Sequence, residues 1–102
     1  MQNTSKMPVE EQTSGKLVAY IGTPWCKYCK TTKPALEEIE GEMNDTRFLA
    51  VDADEYPEVA QQAKVKTYPT IIVYRDGVEL DRRGSGSNPE LKEWIEQAFA
   101  KG

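Results

Sequence analysis

The sequence predicts an α/β domain built on a four-stranded mixed sheet with helices on both faces. Three observations carry that prediction. Two short apolar runs rich in strand formers, "KLVAYIG" (Lys16–Gly22) and "RFLAVD" (Arg47–Asp52), flank a helical pattern, as in a right-handed parallel crossover. Further on, "TIIVYRDGVELDRR" reads as a hairpin folded about Asp76-Gly77, a strong turn signal. A last amphipathic stretch closes the chain, so the order from the first apolar run is β-α-β-α-β-β-α.

Each element has its own justification. Residues 1–15 are polar and read as a flexible tail or one short helical turn, with the folded domain running over residues 16–102. Thr23 and Pro24 break the first strand. Beyond Cys26, Leu36, Ile39 and Met43 recur at spacings of three and four, leaving Glu37, Glu38, Glu40 and Glu42 outside. Pro57 suits the first position of a short helix through about Ala63, with Asp54 as its expected N-cap. Ser87 or Asn88 caps the final helix, where Leu91, Trp94, Ile95, Ala98 and Phe99 form one stripe. The expected sheet order is Arg47–Val51, Leu17–Ile21, Thr70–Tyr74, Val78–Arg82.

Composition excludes several functions. A chain of 102 residues, 38% apolar and 29% charged, suits one globular domain with its own core. A net charge of −4 without a basic stripe argues against nucleic-acid binding, since phosphates need cations to displace their counterions. The opening residues hold no apolar h-region, and no apolar stretch approaches about 18 residues, so neither a signal peptide nor a membrane anchor is expected. The expected compartment is therefore the reducing cytoplasm.

The only two cysteines lie in "TPWCKYCK", Thr23 to Lys30. A structural zinc wants four Cys or His ligands, and the chain has no histidine, so no metal is expected. A staple across so small a loop restricts the unfolded chain little. Two inert core thiols remain possible, but a redox couple is the better reading. Positions three apart on a first helical turn bring two thiols onto one face, within reach of a disulfide. Cys26, at the helix N-terminus, meets unpaired N–H groups and the positive end of the dipole, which favour a thiolate. Cys29, one turn inside, keeps its proton longer. Cys26 is thus suited to attack a disulfide and Cys29 to resolve the mixed disulfide. Lys27 and Lys30 flank the pair and are equally readable as tuning charges or as solvated ones.

From about Lys16 onward, over more than four-fifths of its length, the chain resembles the thioredoxin-fold thiol–disulfide oxidoreductases. The resemblance rests on "LVAYIG", "WCKYCK", Pro34 five residues beyond Cys29, "VDADEYPE", "TYPT" and "GSNPELKEW". It implies a thioredoxin fold trimmed at its N-terminus, a helix kinked at Pro34, and a cis peptide before Pro69 in a loop beside the cysteines. It also implies a substrate surface of Trp25, Lys27, Tyr28, Tyr68 and Pro69. No cofactor is implied beyond the Cys26–Cys29 disulfide itself. The implied partners are protein disulfides and a thioredoxin-reductase-type or glutathione-type electron donor, and the protein is expected to be a monomer.

Two departures stand out. The motif's middle is Lys27-Tyr28, where a typical thioredoxin has Gly-Pro and protein disulfide isomerases have Gly-His. The buried carboxylate of many relatives aligns with Tyr20 and its lysine partner with Ala50, so water or the Tyr20 hydroxyl must serve Cys29. The favoured function is reduction of protein disulfides. The alternatives are a disulfide oxidase or isomerase, and a thioredoxin-fold adaptor whose cysteines are inert.

Overall fold

Residues 1–101 are described in a computed structural model, and most elements lie within a residue of their sequence-based limits. In chain order they are β1 (Gln2–Asn3), α1 (Pro8–Glu11), β2 (Lys16–Gly22), α2 (Cys29–Glu42), β3 (Thr46–Asp52), α3 (Pro57–Gln62), β4 (Thr70–Arg75), β5 (Val78–Arg83) and α4 (Asn88–Lys101). The sheet order is β1-β3-β2-β4-β5, parallel through β2 and antiparallel from β2 to β5.

β2 lies at the centre, and its alternation explains the continuous apolar run. Val18 and Tyr20 face one layer with Leu36, Ile39, Leu91 and Ile95 of α2 and α4. Leu17, Ala19 and Ile21 face the other, with Leu49, Val51 and Val59. A strand buried on both faces has no polar side to show. The β4–β5 turn uses left-handed Asp76 (φ 51°) and Gly77 (φ 81°), the backbone that the Asp-Gly pair favours.

The four-strand expectation needs one correction: the sheet has five. β1 runs parallel to β3, pairing Gln2 with Leu49 and Asn3 with Ala50, and Thr4 N–H donates to Ala50 O at 2.8 Å. Its side chains are exposed, so its pairing is carried by backbone that leaves no apolar pattern in the sequence. Met7 and Pro8 then bury against the sheet, and Gly15 exchanges hydrogen bonds with Asp76, tying this segment to the hairpin turn.

Two caps separate cleanly. Ser87 and Glu90 form a reciprocal box at the start of α4: the Ser87 N–H donates to Glu90 Oε1 (3.2 Å), and the Glu90 N–H donates to Ser87 Oγ (3.3 Å). Asp54 does not cap α3, which starts at Pro57 with Tyr56 in the cap position and no side-chain acceptor. The carboxylate of Asp52 instead organises that turn, accepting from the N–H groups of Asp54 and Glu55. Asp54 is thereby free to bond elsewhere.

Candidate active site

The chain leaves β2 at Gly22 and turns through Thr23–Tyr28 before α2 begins at Cys29. The expected helical start is therefore displaced. Cys29 is the first helical residue rather than one turn inside, and Cys26 lies in the preceding turn, its N–H directed at Thr23 O. Pro24 disfavours a helical Thr23, and the turn after it delays the helix until Tyr28, whose dihedrals (φ −76°, ψ −21°) are already helical. Tyr28 has no capping side chain, and the Cys26 sulfur takes that part: the Cys29 N–H donates to Cys26 Sγ at 3.2 Å. A sulfur that accepts from the helix N-terminus is held where the unpaired donors and the dipole favour negative charge.

The two sulfurs are unequal in surroundings. Both cysteines are reduced and buried, Cys26 at 5% and Cys29 at 4% exposure. Cys29 faces inward, where its sulfur and the Tyr20 hydroxyl lie side by side over Gly22. Burial pushes the Cys29 thiol above its ordinary range and the neighbouring Cys26 adds to this, while Tyr20 and Thr23 pull it back down. Gly22 permits the approach. A Cβ there would lie 2.5 Å from Tyr20 Oη and 2.8 Å from Cys29 Sγ, so any side chain would force the two polar atoms apart.

Around Cys26 the surface is aromatic. Trp25 and Tyr28 are 65% and 56% exposed, unusual for rings of this size. Trp25 meets Tyr68 edge to face, centroids 6.2 Å apart, and donates its indole N–H to Asp54 at 3.1 Å. Tyr68 packs partly against the core that holds both cysteines. The Tyr68–Pro69 peptide is cis, and Pro69 is buried. Lys27 Nζ lies 5.9 Å from the centroid of the Tyr28 ring.

The remaining sequence candidates lie elsewhere. Lys30 lines a cavity on the far side of Cys29, together with Tyr20, and is not part of the aromatic rim. Pro34 is inside α2, exposed, where it deprives the Lys30 carbonyl of a helical donor. Tyr20 and Ala50 are direct neighbours across β2 and β3. Sequence reasoning missed Asp54 as the tether of Trp25 and Gly22 as the contact point of Tyr20 and Cys29. Neither carries a local signal, since both act through residues brought together only by the sheet and its loops. No cluster of metal-ligating side chains exists among the described residues.

Comparison with known proteins agrees with this geometry. The family model for thioredoxin matches residues 3–97. A thioredoxin of Aspergillus fumigatus is 33% identical over 89 residues, covering 86% of this chain and 82% of that protein. A thioredoxin of Mycoplasmoides gallisepticum is 32% identical, covering 90% of this chain and 95% of the relative. Among solved structures, Fasciola hepatica thioredoxin superposes with a TM-score of 0.85 at 25% identity, covering 96% of this chain and 99% of that one. The reduced CxxC pair at the head of α2, the sheet that presents it and these likenesses place the chain in the thioredoxin family, as a thiol–disulfide oxidoreductase working by dithiol–disulfide exchange.

Proposed function

We propose that the protein reduces protein disulfides, with Cys26 as nucleophile and Cys29 as resolving thiol. The observation that carries this assignment is the 3.2 Å bond from the Cys29 N–H to Cys26 Sγ, which turns the Cys26 sulfur toward the helix N-terminus while Cys29 faces the interior. The Cys26 thiolate attacks one sulfur of a substrate disulfide, and the other substrate sulfur leaves as a thiolate and takes up a proton. Deprotonated Cys29 then attacks Cys26, closing the Cys26–Cys29 disulfide and releasing the second substrate thiol. The couple needs no added cofactor, and no metal, for these steps.

Trp25, Tyr28, Tyr68 and Pro69 form the docking surface, with Lys27 at its edge. Exposed rings supply contact area at little conformational cost, and an extended substrate segment fits such a surface. The oxidised couple is returned to the dithiol by a thioredoxin-reductase-type or glutathione-type donor. The protein acts as a monomer in the cytoplasm, without nucleic acid or membrane as partner, in keeping with its acidic surface charge and the lack of a helix long and apolar enough to span a bilayer among the described residues.

An insulin-reduction assay with each cysteine replaced tests the roles. Cys26→Ser should lose reduction altogether. Cys29→Ser should lose turnover but accumulate a mixed disulfide through Cys26. Trapping of substrate by the Cys26→Ser protein instead would reverse the assignment, and a lack of insulin reduction by the unaltered protein would favour an inert adaptor.

A further inference from the structure

Cys29 must lose its thiol proton before it can resolve a mixed disulfide, and burial resists that loss. The chain has no histidine, and the strand position beside Cys29 holds a tyrosine where a carboxylate would act as a base. Tyr20 is 4% exposed, and its hydroxyl and the Cys29 sulfur converge over the bare backbone of Gly22, 2.5 and 2.8 Å from where a Cβ would stand. Burial drives this phenol far above the ordinary tyrosine range, so it keeps its proton and remains a donor at every working pH.

Behind the pair lies a cavity of about 640 Å³, bounded by the β1 end, β2, β3 and the start of α2. Tyr20, Cys29 and Thr23 line it, and the Thr23 hydroxyl is buried with no hydrogen-bond partner. A polar cavity of that volume admits water. The charged and titratable groups facing it are Lys30 and Lys33 of α2, Asp52 at the end of β3, and Glu55 and Tyr56 beyond.

We propose that Tyr20 is the positioning residue of the resolving step, donating its phenol hydrogen bond to the Cys29 thiolate while the proton leaves to solvent through the cavity behind it. The inference rests on Cys29 as the resolving thiol. In balance, Cys29 S–H gives its proton to water in the cavity, and the thiolate accepts the Tyr20 O–H. The thiolate attacks Cys26, the Cys26–Cys29 bond forms, and the bond from Cys26 to the substrate sulfur breaks. The departing substrate thiolate takes a proton from water. Tyr20 is neither oxidised nor deprotonated.

Tyr20→Phe keeps the ring in the core and removes only the donor. The reduced protein is mixed with a symmetrical nitrothiobenzoate disulfide, which releases one coloured thiol when a cysteine attacks and a second when the other resolves. The expected result is an unchanged bimolecular first release, with the unimolecular second release slowed about tenfold at neutral pH. That is the scale of one hydrogen bond to a charged group. The pH profile of the second release should move up by about one unit, a displacement that looser packing alone does not produce. Cys29→Ser serves as the control and should give the first release only. A first release missing from Cys29→Ser but present in Cys26→Ser would overturn the cysteine assignment, whatever Tyr20 does. With that control in order, a second release of wild-type rate and pH midpoint in Tyr20→Phe would overturn the role of Tyr20, as would equal slowing of both releases.

Discussion

At the residue scale, the same environment that sets the roles of the thiols makes stability depend on pH. Burial holds the Cys29 thiol above its ordinary 9.0 and the Tyr20 and Tyr74 hydroxyls above their ordinary 10.0. In the unfolded chain each ionises at its ordinary value, whereas the folded protein retains the proton. Their contribution is therefore complete below the unfolded values and drains away as pH rises toward the folded ones. The reduced protein should melt at falling temperatures from about pH 9, while the oxidised protein, lacking the thiol, should begin its decline nearer pH 10. Thermal melts of both forms across that range check it. Identical profiles for the two forms would mean that Cys29 is not held protonated. The cysteines and their aromatic flank were legible as residues, because a CxxC after an apolar run is a local pattern. The partners Gly22 and Asp54 were not, because their contacts join residues up to 29 positions apart.

At the element scale, strands and helices were legible wherever they carry apolar side chains in a period. β2 and β3 are buried on both faces and read as unbroken apolar runs, and the β4–β5 turn was announced by Asp-Gly. β1 escaped because two exposed residues pair by backbone alone. The head of α2 was misplaced because its cap is a sulfur, a group that capping preferences do not include. The hairpin offers a clean test of turn chemistry. Gly77 sits at φ 81°, yet a Cβ there would meet its nearest atom at 3.6 Å, an ordinary contact. Gly77→Ala thus isolates backbone strain, expected to cost about 1 kcal/mol. Denaturant titration should show a lower midpoint with an unchanged slope. An unaltered midpoint would mean that the turn relaxes to another conformation at no cost.

At the scale of the whole molecule, the sheet presents one dithiol between an aromatic face and a polar cavity, and both sides bear on its redox balance. The fold was legible as a topology from element order. The cavity was not, because it arises where side chains of four separate segments fail to fill space. Lys27 lies between the two cysteines in sequence, its ammonium 5.9 Å from the Tyr28 ring centroid; a positive charge there is expected to favour the reduced, thiolate-bearing form over the neutral disulfide and make the couple less reducing. Because Lys27 is exposed, screening keeps the effect modest, and Lys27→Glu should make the potential more negative by about 10 to 30 mV. The central claim is that Cys26 and Cys29 form one reversible redox couple, and a glutathione redox titration of the purified protein tests it most directly. The expected result is a single two-electron transition at roughly −190 to −240 mV, absent from either cysteine variant. A protein whose thiols never pair across the titration would contradict the claim, and a midpoint at or below about −270 mV would contradict the weaker reducing power assigned to the Lys27-Tyr28 motif.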